Sequence, residues 1–303
     1  MNSSKTLYPV MVKGKYGYID NKGNLVIDAK FDYVEEFDED LAIVGIGGKL
    51  GFINKNGEFV IEPRFKSANN FSEGLAAVQV VYQWGYIDVE GKEVIPFNFI
   101  DAYSFSDGVA LVQIGGKQGY IDKSGNIIIE PKYNYAHSFS EGLAVVDMNR
   151  KYGYIDKTGK TIIAAKYMVA NDFSEGLAAV TTNNGCGFIN KSGEMVIEPQ
   201  YEETDDFYDG YAAVCKDEKY GYIDKNGSVI IPIKYDNVDV ISEGLIGVQI
   251  GEKWGYIDMS SNMIIEPKFD EAYEFINGVA MVEVNDKIGY IDRNGNYIWE
   301  PQK

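Results

Sequence analysis

Five aromatic residues stand directly before a glycine at matching places along the chain: Tyr16, Trp84, Tyr152, Tyr220 and Trp254. Flat rings near acidic residues suit stacking on sugar faces or gripping a peptide, so this slot is the first candidate for binding chemistry. In the other copies it holds Leu50, Gln118, Cys186 and Ile288. Such variation points to an edge or partly exposed position. The competing reading is that the rings fill the rim between neighbouring units.

Catalytic and metal chemistry find less support. His137 is the only histidine, in a loop slot where polar residues such as Asn, Tyr and Glu stand in other copies. No Ser-His-Asp set, Cys-His pair or cluster with metal-ligand spacing is present. Cys186 and Cys215 fall in different slots of different copies, which argues against a disulfide framework or zinc site. Gly47-Gly48 and Gly115-Gly116 precede Lys49 and Lys117. They lack the helix a phosphate loop requires and read as tight turns. Asp224-Lys225-Asn226-Gly227 resembles a calcium loop only faintly, because Lys fills the place of a second oxygen ligand. The expectation is a non-enzymatic chain with no catalytic residue, cofactor or metal.

What positions the aromatic slot is a strict repeat. The glycines that follow it are Gly17, Gly51, Gly85, Gly119, Gly153, Gly187, Gly221, Gly255 and Gly289, 34 residues apart throughout. Each is followed by Tyr or Phe, then Ile, then Asp or Asn. Self-similarity at such a period means one supersecondary unit stacked on its copies. Nine copies span residues 7–303 as one repeat domain, after a lead-in at 1–6.

The unit is built of strands. A helical repeat of the same length fails, because each copy carries two or three Gly, a frequent Pro and clustered β-branched residues. In one copy, 75–80, 84–88 and 93–95 read as three antiparallel strands. Asp88-Val89-Glu90-Gly91 and its equivalents suit a type I turn closed by a left-handed glycine. In the eighth copy, Asp258-Met259-Ser260-Ser261-Asn262, Asn262 is expected to take the positive φ. The connector Phe71-Ser72-Glu73-Gly74 should plug the core with its Phe. Tyr86 and Ile87 point to opposite faces, so the strand should be covered on both. Gly85, on the face of Ile87, implies a close neighbour, read as the adjoining unit.

An acid recurs in the connector at Glu39, Glu73, Asp107, Glu141, Glu175, Asp209 and Glu243. Stacked at a strand spacing of about 4.8 Å, neighbours would repel by roughly 0.9 kcal/mol even in water. Sheet spacing of about 10 Å halves that cost, so whole sheets are the expected layer. The chain opens on a first strand and stops after a third, with no split unit to lock a ring. Propellers usually have four to eight blades of four strands, against nine units of roughly three here. The expected fold is all-β: nine three-stranded antiparallel units packed face to face as an open superhelical solenoid. A closed or spiral β-propeller is the alternative.

A formal charge of −18 over 303 residues argues against nucleic acid and against docking on anionic lipid. No apolar run approaches the roughly 18 residues a membrane span needs. No signal core follows Met1, so a monomeric cytoplasmic chain is expected, with export left open for a trimmed N-terminus. The leading function is display of an acidic, aromatic-rich surface to a protein or peptide, possibly a basic one. The rival is carbohydrate or cell-wall binding through the aromatic slot, and an enzyme with an unrecognised site is third.

The string Lys253-Trp254-Gly255-Tyr256-Ile257-Asp258, with Val-Ile-x-Pro-Lys-Tyr-like and Phe-Ser-Glu-Gly-Leu-Ala strings in register, resembles the bacterial WG (KWG) repeat. Gln83-Trp84-Gly85 keeps the Trp without the Lys. The likeness covers nearly the whole chain. It implies a β-rich bacterial repeat module and supplies no catalytic residues.

Overall fold

Alternating apolar residues and turn glycines fold each 34-residue period into one antiparallel sheet. The computed structural model describes residues 6–301; residues 1–5 of the lead-in and 302–303 lie outside them. The third sheet runs in order Ser67–Ala68, Leu75–Val80, Gln83–Asp88, Glu93–Phe99. Seven of the nine sheets have four strands, and the first and fifth have three. The expected three-stranded unit is thereby corrected. The connector contributes a short strand, held by backbone pairs such as Ala68 with Val78.

These nine sheets are blades, and within each compact unit of the chain a sheet packs on the next. One core joins Tyr86, Ile95 and Phe99 of the third sheet to Ala102, Phe105 and Ile121 of the fourth. Tyr86 meets Phe105 with ring centroids 4.9 Å apart, and Phe188 meets Phe207 at 4.7 Å. The connector Phe therefore plugs the core as expected. Ile87 faces the other way, into the core shared with Ile43 and Phe52 of the second sheet. The chain falls into two compact units, Met1–Ala165 and Lys166–Lys303.

The open solenoid is not what the terminal sheets show. In such an array the end units have one neighbour each and leave a face bare. Tyr8, Val10 and Ile19 of the first sheet are only 6%, 3% and 0% exposed, and Tyr290 of the last is 2% exposed. Their counterparts in the second sheet, Ala42, Val44 and Ile53, are the residues that pack on the preceding sheet. Burial of both outward faces, together with four-stranded blades, favours the β-propeller alternative over the solenoid.

The turns follow the chemistry of their residues. Asp88 Oδ1 accepts the N–H groups of Glu90 and Lys92 at 3.1 and 2.9 Å, and Gly91 takes a φ of 79°. In the eighth copy Ser261, not Asn262, takes the positive φ, because it occupies the glycine's place in the turn. The connector makes a tighter bend. Ser72 and Leu75 exchange N–H···O bonds around Glu73 and Gly74, whose φ values are 53° and 86°. Both signs are positive, as a type I′ turn requires.

Left-handed backbone costs a glutamate about 1–2 kcal/mol. Charge-assisted bonds to the next sheet offset it. Glu73 accepts the Gly108 N–H at 3.1 Å and pairs with Lys123 Nζ at 3.1 Å. Glu175 repeats the pattern with Gly210 at 3.0 Å and Lys225 at 2.9 Å, and the Lys225 bond leads the causes holding its carboxyl below the usual range. Asp107 does so with Gly142 and Lys157, and Glu243 with Gly278 and Arg293, so these acids of the row are each tied to the next sheet.

The repeated glycine has a different cause from the one its sequence implied. A Cβ at Gly85 would lie 2.7 Å from Ile95 O and 2.9 Å from Phe97 N. Both atoms belong to the strand Glu93–Phe99 of the same sheet, whose pairing bulges between Trp84 and Tyr86. The close neighbour is this bulged strand, not the adjoining unit.

Candidate binding site

The glycine-bearing strand places the predicted aromatic row beside aromatics of the strand that follows it, Trp84 beside Phe99, Tyr16 beside Phe31, Tyr220 beside Tyr235 and Trp254 beside Phe269. Four of the five, Tyr16, Trp84, Tyr152 and Tyr220, are partly exposed, and Trp254 is not. Trp254 is buried in the core with Tyr256 and Phe269, and its Nε1 has no hydrogen-bond partner. Trp84 and Tyr16 are half-buried against the cores of their sheets. Tyr152 lies edge-on to Tyr135 at 6.1 Å, and Tyr220 donates to Glu203 Oε2 at 2.7 Å. The slot's variation follows what each neighbour leaves to fill. The rings are spread over five sheets and are not brought together.

A different set of acids and rings does converge. After the short strand, one residue offers its carbonyl to the buried Tyr of the preceding sheet where there is one, as Glu35 does to Tyr18 at 2.7 Å; the second and sixth sheets carry Phe52 and Phe188 there instead. In the seventh and eighth sheets this slot holds Asp205 and Asp239. Asp205 is fixed by its N–H bond to Ala213 O at 3.0 Å. Beside it opens a cleft of about 40 Å³ lined by Asp205, Asp206, Tyr208, Tyr211, Tyr222 and Ile241. Tyr208 stands 65% exposed at this cleft, while Tyr222 is buried and donates its hydroxyl to Asp239 O.

Burial, and then the charge of Glu203, pushes the Asp205 carboxyl above its ordinary range. The sequence carried one signal for this site. Read across copies, the slot of His137 turns acidic only at Glu35, Asp205 and Asp239. His137 itself lies with Nε2 3.1 Å from the Tyr135 hydroxyl.

Asp239 shows what burial does in this slot. Its Oδ2 is buried without a hydrogen-bond partner. Gly247 lies beside it, and a Cβ there would come within 3.0 Å of the Asp239 Cβ. Burial, with a smaller push from Glu274, raises this carboxyl to about 6. Below pH 4 it is protonated both folded and unfolded and costs nothing. As pH rises through 6, the folded chain must carry a poorly solvated charge that the unfolded chain solvates freely, so stability falls.

Asp239→Asn should therefore raise the melting temperature at pH 8 and change it little at pH 4. A shift of about two pH units corresponds to at most roughly 3 kcal/mol, reduced by whatever solvent reaches the group. Thermal melts of both chains from pH 4 to 8 check this. A difference that does not vary with pH would contradict it.

Acids and tyrosines in a small cleft can hold a cation; they supply no nucleophile with its base. Among the described residues, no group of three or more His, Cys, Asp or Glu side chains is arranged to hold a metal ion. Nor is any helix among them long and apolar enough to cross a membrane.

A family model for the WG-containing repeat matches eight times in tandem, from residues 16–49 to 254–287. The chain belongs to the WG-containing repeat family. Each match runs from one sheet's glycine-bearing strand into the next sheet, which leaves Tyr8–Val12 and the last two strands outside the matches. That phase gives eight matches over nine sheets.

No curated protein matches the chain. Among solved structures, a eukaryotic initiation factor is similar with a TM-score of 0.69 at 10% identity, over 99% of this WG-repeat chain and 96% of that one. The dihydro-heme d1 dehydrogenase NirN is similar at 0.51 and 14% identity, over 87% and 74%. At such identities the likeness concerns fold alone.

Proposed function

We propose that this WG-repeat chain is a non-enzymatic binding module that grips a basic segment of a protein or peptide. The carrying observation is the cleft of Asp205, Asp206 and three tyrosines on a chain of charge −18. Its volume suits one small polar group. A lysine ammonium or arginine guanidinium there would meet carboxylates and ring faces together, and cation–π attraction strengthens as water is excluded. Long-range attraction between an acidic surface and a basic partner speeds encounter and weakens with salt. No observation favours the carbohydrate rival, whose rings are packed at the rim.

The test is calorimetric titration of the full chain with a lysine- and arginine-rich decapeptide and a glutamate-rich control. Saturable binding of the basic peptide, weakened by salt and at least about tenfold weaker in Asp205→Asn/Asp206→Asn, is expected for a cleft contact. Equal affinity in the double variant would sink the assignment.

We further infer that the nine blades form a closed propeller. Supporting this are the buried outward faces of the first and last sheets and the four-stranded blades.

A further inference from the structure

Four departures from the repeat meet at one place in the first unit, well away from the acid–tyrosine cleft in sequence. Arg64 replaces the Lys of most copies, and Phe97 stands where the others have Pro, Ala or Ile. Glu93 is the one charged residue in a slot that otherwise holds Leu25, Phe59, Ile127, Thr161, Met195, Val229, Met263 and Tyr297. Arg64, Glu93 and Phe97 line a single cleft of about 300 Å³ between the second and third sheets, with Phe65, Val80 and Ile87 as apolar wall. That volume is at the lower end of small-molecule sites.

The fourth departure adjoins it. Val80 leads into the turn Val81-Tyr82, where other copies have glycines or polar residues. Val81 is 62% exposed at a φ of 58°, an unfavourable conformation for a β-branched residue. Strained, exposed apolar residues beside a cleft are a known mark of functional segments.

The two charges are presented, not spent on each other. Arg64 Nη2 donates to Gly91 O and its guanidinium stacks on Phe65 at 4.9 Å, which anchors it and leaves other N–H groups for a ligand. Glu93, two residues beyond Gly91, has no partner among the described residues and is exposed. A guanidinium recognises a carboxylate, and a carboxylate recognises an ammonium. Apolar walls between them take a hydrocarbon side chain.

We propose that this cleft binds a free α-amino acid with a large apolar side chain, its carboxylate on Arg64, its ammonium on Glu93 and its side chain against Phe65 and Phe97. The ligand is a zwitterion, which the paired opposite charges select over a plain hydrophobe.

Calorimetry on the full chain with L-leucine and L-phenylalanine tests this, with N-acetyl-L-leucine, L-leucinamide and L-alanine as probes of each contact. Saturable binding of either amino acid is expected, at least about tenfold tighter than either capped form or alanine. Arg64→Gln should abolish the preference over leucinamide, and Glu93→Gln the preference over N-acetyl-leucine. A merely structural role would not produce that matched pattern. Three results would overturn the proposal: no saturable binding, capped forms binding as tightly as the free amino acid, or both variants weakening every probe equally. Far-ultraviolet circular dichroism confirms that the variants fold.

Discussion

Gly153→Val should destabilise the chain by about 3 kcal/mol or more, at or above the upper end of ordinary overpacking costs. A Cβ at Gly153 would stand 2.5 Å from Ile163 O and 2.7 Å from Ala165 N. Both are backbone atoms of a paired strand, so relief requires moving the strand itself. Valine adds two methyl groups beyond that Cβ.

The same change at Gly289 should cost less. There the nearest atoms are Pro301 Cδ and Cγ at 2.9 Å, a side chain close to the end of the chain that can swing aside. Chemical denaturation of both variants measures the difference. Equal, negligible losses would show that the bulged strand does not demand glycine.

Deleting Leu245 to Lys303 should turn a well-behaved protein into one that aggregates or melts without a cooperative transition. The seventh sheet would lose Ile246, Val248 and Ile257 from over Ala213, Tyr222 and Ile231. In a closed propeller the seam removes a second cover as well, baring two apolar sheet faces at once. An open array loses only one, and nearest-neighbour stability predicts a shorter but intact protein. Size-exclusion chromatography and circular dichroism distinguish the outcomes. A soluble, monomeric, cooperatively folding remnant would restore the solenoid.

Much of this fold was legible because its signals are local. Asp88 to Gly91 names its own turn, and the alternation around Tyr86 and Ile87 states that both faces are covered. What was hidden depends on backbone placement. The short strand Ser67–Ala68 pairs through amides alone and has no side-chain signature. The fixed glycine reads the same from sequence whether its neighbour is the adjoining sheet or its own bulged strand. The burial of Trp254 and Gln118 was not legible, because it depends on local fit, as the Ala136 N–H donating to Gln118 Oε1 at 2.7 Å illustrates. The acid–tyrosine cleft joins residues such as Asp205, Tyr222 and Ile241 from two sheets, and only folding brings them together.

The central claim is that a basic side chain seats between Asp205 and the tyrosines. Its most direct measurement is photo-crosslinking of a lysine- and arginine-rich peptide carrying a photoreactive group, with the attachment site read by mass spectrometry. Crosslinks concentrated on Tyr208 and Tyr211, lost at high salt and in Asp205→Asn/Asp206→Asn, are the predicted result. Crosslinks scattered over the acidic surface, or unchanged in that variant, would contradict it.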